Sequence, residues 1–269
     1  MNSKPIGIFD SGVGGLTSAK QFLAIMPNEN VIFLGDTRRN PYGTKTKDTL
    51  MQYAIDDVDF LQRRDVKLII VACGTISSNV PAARLKNLKV PYVDVITPTV
   101  NKVVNTTKTK RVGIIGTPAT IKSGSFANRL KRLDKEIETM SVGCPMMVTL
   151  AENGDIDENN FVANSVIKEY LAPIKAFGAD TLILGCTHFP LMSKIIQKVM
   201  GDEVTLIDSG YEAAIEAKKI LEQKDMCREG ERDLLEFNVT GNTEKFDEVA
   251  NIFLEGKYDV HSKKADIYD

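Results

Sequence analysis

Short apolar runs alternate with helix-like stretches along the chain, and two of the runs end in matching cysteine turns. Leu68-Ile69-Ile70-Val71 leads into Ala72-Cys73-Gly74-Thr75, and Thr181-Leu182-Ile183-Leu184 leads into Gly185-Cys186-Thr187-His188. An unbroken apolar run of this length reads as a strand buried on both faces, the habit of parallel sheets. Strands alternating with helices give βαβ units, and ligands of open α/β sheets gather at the carboxyl ends of their strands. Two thiols placed alike at two strand ends therefore face one ligand. That arrangement suits an enzyme that takes a proton from one face of a carbon and delivers one to the other.

A second match supports an internal duplication. Ile6-Gly7-Ile8-Phe9-Asp10-Ser11-Gly12 resembles Val112-Gly113-Ile114-Ile115-Gly116-Thr117-Pro118, and both matched pairs occur in the same order with similar spacing. The expected architecture is α/β: two similar domains with mostly parallel sheets related by pseudo-symmetry, one from residues 1–97 plus 208–269, the other from 98–207.

The apolar runs predict strands at 6–10, 31–34, 68–72, 92–96, 111–116, 138–142, 181–184, 204–207 and 234–240. Helices are predicted at 16–26, 46–64, 80–86, from Thr97-Pro98 onward, and at 122–133, 160–177, 194–200, 210–223 and 243–254, the last with Thr243 as its N-cap. Pro145 to Glu152 is expected to be a loop with apolar content.

At 269 residues, with 43% hydrophobic and 26% charged residues, the chain has the make-up of a globular protein. Its net charge of −2 gives no electrostatic case for nucleic acid or an anionic membrane. No apolar stretch reaches the roughly 18 residues of a membrane span. Met1 to Pro5 carries no apolar signal region, so a cytoplasmic protein is expected.

The four cysteines, Cys73, Cys144, Cys186 and Cys227, form no C-x-x-C and are expected as free thiols. Cys144 and Cys227 read as small buried hydrophobes, and Cys73 and Cys186 as functional. Asp10-Ser11-Gly12-Val13-Gly14-Gly15 lies between a strand and a helix. It is neither G-x-G-x-x-G nor a Walker-type loop, which argues against a nucleotide phosphate and for a small carboxylate held by backbone N–H groups. A tight turn capped by Asp10 is the plainer alternative. His188 stands two residues from Cys186, where an imidazolium lowers a thiol pKa; a structural histidine is its plainer reading. His261 falls in a polar tail. A zinc site from Cys73, Cys186 and His188 has no metal-like spacing.

Four motifs in order then carry a resemblance: Gly7-Ile8-Phe9-Asp10-Ser11-Gly12-Val13-Gly14-Gly15-Leu16-Thr17, Gly35-Asp36-Thr37 with Pro41-Tyr42-Gly43, Ala72-Cys73-Gly74-Thr75, and Gly185-Cys186-Thr187-His188-Phe189-Pro190. Together they resemble the cofactor-independent aspartate/glutamate racemase family. The resemblance implies an active site between two similar α/β domains. It implies an isomerase that interconverts L- and D-glutamate without cofactor or metal and supplies D-glutamate for peptidoglycan and cell shape. It also implies a homodimer. Cys73 and Cys186 become the catalytic thiols, with Asp10 assisting Cys73, and Glu152 and His188 assisting Cys186. Asp10, Ser11, Tyr42, Gly43, Gly74, Thr75, Thr187 and His188 become substrate-binding residues. Another acidic substrate such as aspartate, a non-catalytic regulatory homologue and a cysteine hydrolase are the alternatives; the hydrolase leaves one thiol unexplained.

One position departs from the family pattern. The first cysteine turn usually reads Cys-Asn-Thr, and here it is Cys73-Gly74-Thr75. Either backbone donors and water replace the lost amide, and an asparagine is tolerated, or Gly74 takes a positive φ that asparagine strains.

Overall fold

The computed structural model describes residues 3–85 and 88–267. The first half runs β1 (Ile6–Asp10), α1 (Leu16–Ile25), β2 (Val31–Gly35), α2 (Lys47–Arg63), β3 (Leu68–Val71), α3 (Gly74–Asn79), β4 (Tyr92–Asp94) and α4 (Ile96–Val104). The second half runs β5 (Arg111–Gly116), α5 (Pro118–Ser123), α6 (Ser125–Leu133), β6 (Glu138–Gly143), α7 (Pro145–Glu152), α8 (Phe161–Phe177), β7 (Thr181–Leu184), α9 (Ser193–Met200) and β8 (Thr205–Asp208). The chain then returns through α10 (Ser209–Gln223), β9 (Leu235–Val239), α11 (Thr243–Leu254) and β10 (Lys263–Lys264).

These strands form two sheets, ordered β10-β9-β2-β1-β3-β4 and β6-β5-β7-β8. Every pairing is parallel; Ile8, for example, is in register with both Phe33 and Ile70, and Ile114 with both Ser141 and Ile183. The order β2-β1-β3-β4 repeats as β6-β5-β7-β8, which is the duplication seen in the sequence. β1 and β5 are equivalent, and so are β3 and β7. In each sheet the strand order reverses beside the first strand, and the crevice outside that reversal is where ligands bind in such folds.

Helices cover both faces of the central strands: β1, β2, β3 and β7 have no residue in contact with solvent beyond a trace. One core cluster runs without a break from Ile6 and Phe33 of the first sheet to Ile114 and Ile183 of the second and on to Phe253 of α11. A smaller cluster, with Phe9, Leu34, Val58 and Val71, packs under α2. α10 lies against both α1 and α4. Among the described residues no helix is long and apolar enough to cross a membrane.

Several sequence expectations are corrected. The helix after Cys73 begins at once, at Gly74, and ends at Asn79; residues 82–84 form only a 3-10 turn, so no helix occupies the described part of 80–86, and Lys86 lies outside the described residues. The expected helix 122–133 is two helices, split at Gly124, whose φ of +66° ends α5 in a left-handed cap. Pro145 to Glu152 is helix α7, not a loop; Pro145 occupies its first turn, where a missing N–H costs nothing. The N-cap of α11 is Asn242, whose side chain accepts from Lys245 N at 2.7 Å, not Thr243. β10, which pairs with β9, was not expected.

Candidate active site

β1 ends at Asp10 and β3 at Val71, so Ser11 and Cys73 emerge side by side at the carboxyl edge of the first sheet. Gly116 and Leu184 end β5 and β7, and they present Thr117 and Cys186 from the second sheet. The two edges meet around a cavity of about 250 Å³. Both cysteines line it, with Asp10, Ser11, Tyr42, Gly43, Gly74, Thr75, Thr187 and His188. All eight binding candidates therefore converge. A larger groove of about 680 Å³ is walled by residues of α8 and α9 and contains neither cysteine.

Each thiol has its own partner. The Cys73 thiol donates to the Ser11 hydroxyl at 3.7 Å. Burial, reinforced by the Asp10 charge, pushes Cys73 up to about 12, so Cys73 rests as a neutral thiol. Cys186 Sγ lies 3.6 Å from His188 Nδ1, and His188 Nε2 lies 2.9 Å from Glu152 Oε1. Burial works to lower the His188 pKa, but the Cys186 sulfur and the Glu152 carboxylate outweigh it and hold His188 at about 10. The Cys186 side is thus a sulfur–imidazolium–carboxylate line. Glu152, at the end of α7, reaches the cavity only through His188 and does not line it.

Asp10 is buried beneath the glycine turn. Its Oδ2 accepts from Gly12 N at 3.1 Å and Gly15 N at 3.0 Å, and its Oδ1 has no hydrogen-bond partner among the described residues. Burial raises its pKa to about 6, against the pull of His188 and of those N–H groups. The glycines serve the approach of the two halves. A Cβ on Gly14 would lie 2.4 Å from His188 Cε1 and 2.4 Å from Thr187 Oγ1. Thr17, on α1, donates to the Thr187 carbonyl at 2.7 Å across the same contact.

Tyr42 lies at the cavity as expected. Its hydroxyl is engaged elsewhere and donates to Asp36, and to Asp57 at 3.2 Å. Any contact it makes to a ligand comes from its ring or backbone. Cys144 is buried as expected, whereas Cys227 is only half-buried. His261 is exposed. Among the described residues no group of three or more His, Cys, Asp and Glu is arranged to hold a metal ion.

The family model described as Asp/Glu/Hydantoin racemase matches residues 28–217. The chain belongs to the Asp/Glu/hydantoin racemase family. Among its relatives in that family, a glutamate racemase of Geobacter metallireducens is 42% identical over 255 residues, spanning 94% of each chain. One of Bacillus cereus is 40% identical, spanning 93% of this chain and 92% of its own. The solved structure of glutamate racemase from Francisella tularensis with D-glutamate superposes with a TM-score of 0.91 at 34% identity, covering 100% of this chain and 99% of that one. The racemase fold expected from the motifs is thus the fold found.

The cavity also contains residues that sequence reasoning did not select. Asn40, Pro41, Thr44, Thr117, Pro118, Pro145, Val148 and Thr149 line it. Thr75 and Thr117 join hydroxyls at 3.0 Å across the two halves, and Thr117 meets Thr120 at 3.0 Å. The signal for Thr117 was in the sequence: the internal match aligns it with Ser11.

Proposed function

We propose that this protein interconverts L- and D-glutamate by a cofactor-independent two-thiol mechanism and supplies D-glutamate for peptidoglycan, and so for cell shape, as a cytoplasmic homodimer. The observation that carries the reading is the pair of buried cysteines that follow equivalent strands, β3 and β7, and line one amino-acid-sized cavity. Relatives named glutamate racemase across nearly the whole chain support the substrate.

The lining of the cavity fits such a substrate. Among the described residues no lysine or arginine lines it. Two carboxylates are then held by backbone N–H groups and hydroxyls, among them those of Ser11, Gly43, Gly74, Thr75 and Thr187. Such donors stabilise charge as it moves onto the α-carboxylate when the α-carbon loses its proton.

In the resting enzyme Cys73 is a thiol, and Cys186 faces imidazolium. Cys186 as thiolate removes the α-proton and becomes a thiol; the electron pair delocalises into the carboxylate. Cys73 then gives its proton to the opposite face and becomes a thiolate. The stereocentre is inverted, and the two sulfurs have exchanged roles. Asp10, whose Oδ1 has no hydrogen-bond partner among the described residues, takes up the proton of Cys73 when the reaction runs the other way; Glu152 helps keep His188 charged and in place. Both sulfurs must stand about 3–3.5 Å from the carbon, which puts them roughly 6–7 Å apart.

Cys73→Ser and Cys186→Ser test the reading. A hydroxyl is too weak an acid to serve near neutral pH, so each variant is expected to lose racemisation while still exchanging the α-proton of one enantiomer. Near-normal racemisation by either variant overturns the two-thiol scheme.

A further inference from the structure

One charged cluster beside the cavity has no part in this chemistry. The segment between β2 and α2 supplies a whole wall of the cavity, Asn40 to Thr44. Arg39 immediately precedes that wall and does not line it. Its side chain is only 10% exposed, and its guanidinium is surrounded. Nε donates to Asp36, Nη1 to Asp56 Oδ2 at 2.5 Å and Nη2 to Asp57 Oδ1 at 3.1 Å. The same group lies 4.0 Å over the ring of Tyr53, which packs 5.1 Å from the ring of Tyr42. Tyr42 gives its hydroxyl to the same two carboxylates, Asp36 and Asp57. Asp36 Oδ1 accepts from Thr240 Oγ1, just past β9, at 2.7 Å.

The wall is therefore tied at three points: to the end of β2 through Asp36, to α2 through Asp56 and Asp57, and to the end of β9 through Thr240. Buried ion clusters are weak stabilisers, because desolvation offsets most of their attraction. Asp36 and Asp57 are both fully buried, and burial beside Asp36 pushes the Asp57 carboxyl well above the ordinary carboxylate range. What such a cluster does supply is orientation: the planar fork of arginine fixes the direction of each carboxylate it holds. A connecting loop is mobile unless tied down, while a binding wall must hold its donors to within a fraction of an ångström.

We propose that Arg39 is a positioning residue that locks the Asn40–Thr44 wall, and with it the backbone of Tyr42 and Gly43, in the geometry that grips the substrate. The kinetic part of this proposal rests on the reading of the cavity as a glutamate site.

The test compares wild type with Arg39→Lys and Asp56→Asn in two measurements: glutamate kinetics, and hydrogen–deuterium exchange of backbone amides without substrate. Arg39→Lys keeps the charge and loses the fork. It is expected to raise KM on the order of tenfold with kcat within about threefold, the signature of lost uniform binding. The amides of residues 42–44 are expected to exchange on the order of tenfold faster while β1 and β7 stay protected. Asp56→Asn removes a partly exposed partner and should move both readouts the same way by less; it decides the matter where Arg39→Lys does not fold. Unchanged exchange at 42–44 overturns the proposal, as does acceleration spread evenly over the first sheet, which marks a merely structural arginine. Exchange is read without substrate, so a failure of glutamate turnover in the wild type counts against the functional reading and leaves this result standing.

Discussion

A Cβ on Gly74 would stand 2.3 Å from the carbonyl oxygen of Gly185, so the two cysteine turns meet through bare backbone. Gly74 does not have a positive φ. It is glycine because there is no room for a side chain between Cys73 and Cys186's neighbour. The asparagine that the sequence comparison would restore must therefore shift one turn.

Gly74→Asn and Gly74→Ala are accordingly expected to wedge the thiols apart. Overpacking of this kind costs about 1–3 kcal/mol, and a misplacement of about 1 Å at the reacting centre costs on the order of 10²-fold in rate. A melting curve taken alongside kcat checks both. A variant with the melting temperature of wild type and a lower KM would show that Gly185 yields freely and that the amide is welcome.

Gly14 makes the corresponding contact on the other side. Its absent side chain leaves space for His188 and Thr187. Gly14→Ala should push the imidazole off Cys186, with a loss in kcat on the order of 10²-fold and a much smaller fractional change in KM. Wild-type kcat in Gly14→Ala would mean that the His188–Cys186 pair is not needed.

Much of this site was legible in the sequence because parallel strands buried on both faces leave a continuous apolar signal. Leu68–Val71, Arg111–Gly116 and Thr181–Leu184 read directly from their composition, and they fix where Cys73 and Cys186 emerge. The short helices did not read. Gly74-Thr75-Ile76-Ser77-Ser78-Asn79 has poor helix propensity and is helical because it is packed between the halves, with Ser77 donating to the Val71 carbonyl. The contact between Gly14 and His188 joins residues 174 positions apart in the chain, and no local pattern reports it. Tyr42 was placed at the cavity by its motif, but the direction of its hydroxyl depends on Asp57, on another element.

The buried carboxyl of Asp10 gives a pH signature. Its pKa rises from 3.8 to about 6 in the folded state. A raised acid binds more protons folded than unfolded, so its contribution is fully present below about pH 4 and is lost as pH rises through about 6. Above that, ionised Asp10 costs about 3 kcal/mol. Asp10→Asn should remove this slope and melt higher than wild type at pH 7–8, while kcat/KM falls. Parallel pH–stability curves for the two proteins would contradict the assignment.

His188 works in the same sense at higher pH. Its pKa rises from 6.5 to about 10, so its imidazolium stabilises the fold fully below about pH 6.5, and that contribution is lost as pH rises through about 10. The alkaline limb of kcat/KM is expected there. Glu152→Gln removes the carboxylate 2.9 Å away and should move that limb toward neutral pH. A pH profile unchanged by Glu152→Gln would show that Glu152 does not help the Cys186 sulfur to hold His188 charged.

The most direct measurement is the circular dichroism of L-glutamate, and separately of D-glutamate, followed with purified protein and no added cofactor. Both signals are expected to decay to zero as each enantiomer becomes the racemate, with L-aspartate alongside turning over far more slowly. A glutamate signal that stays constant, or one that decays from a single enantiomer only, would contradict the account.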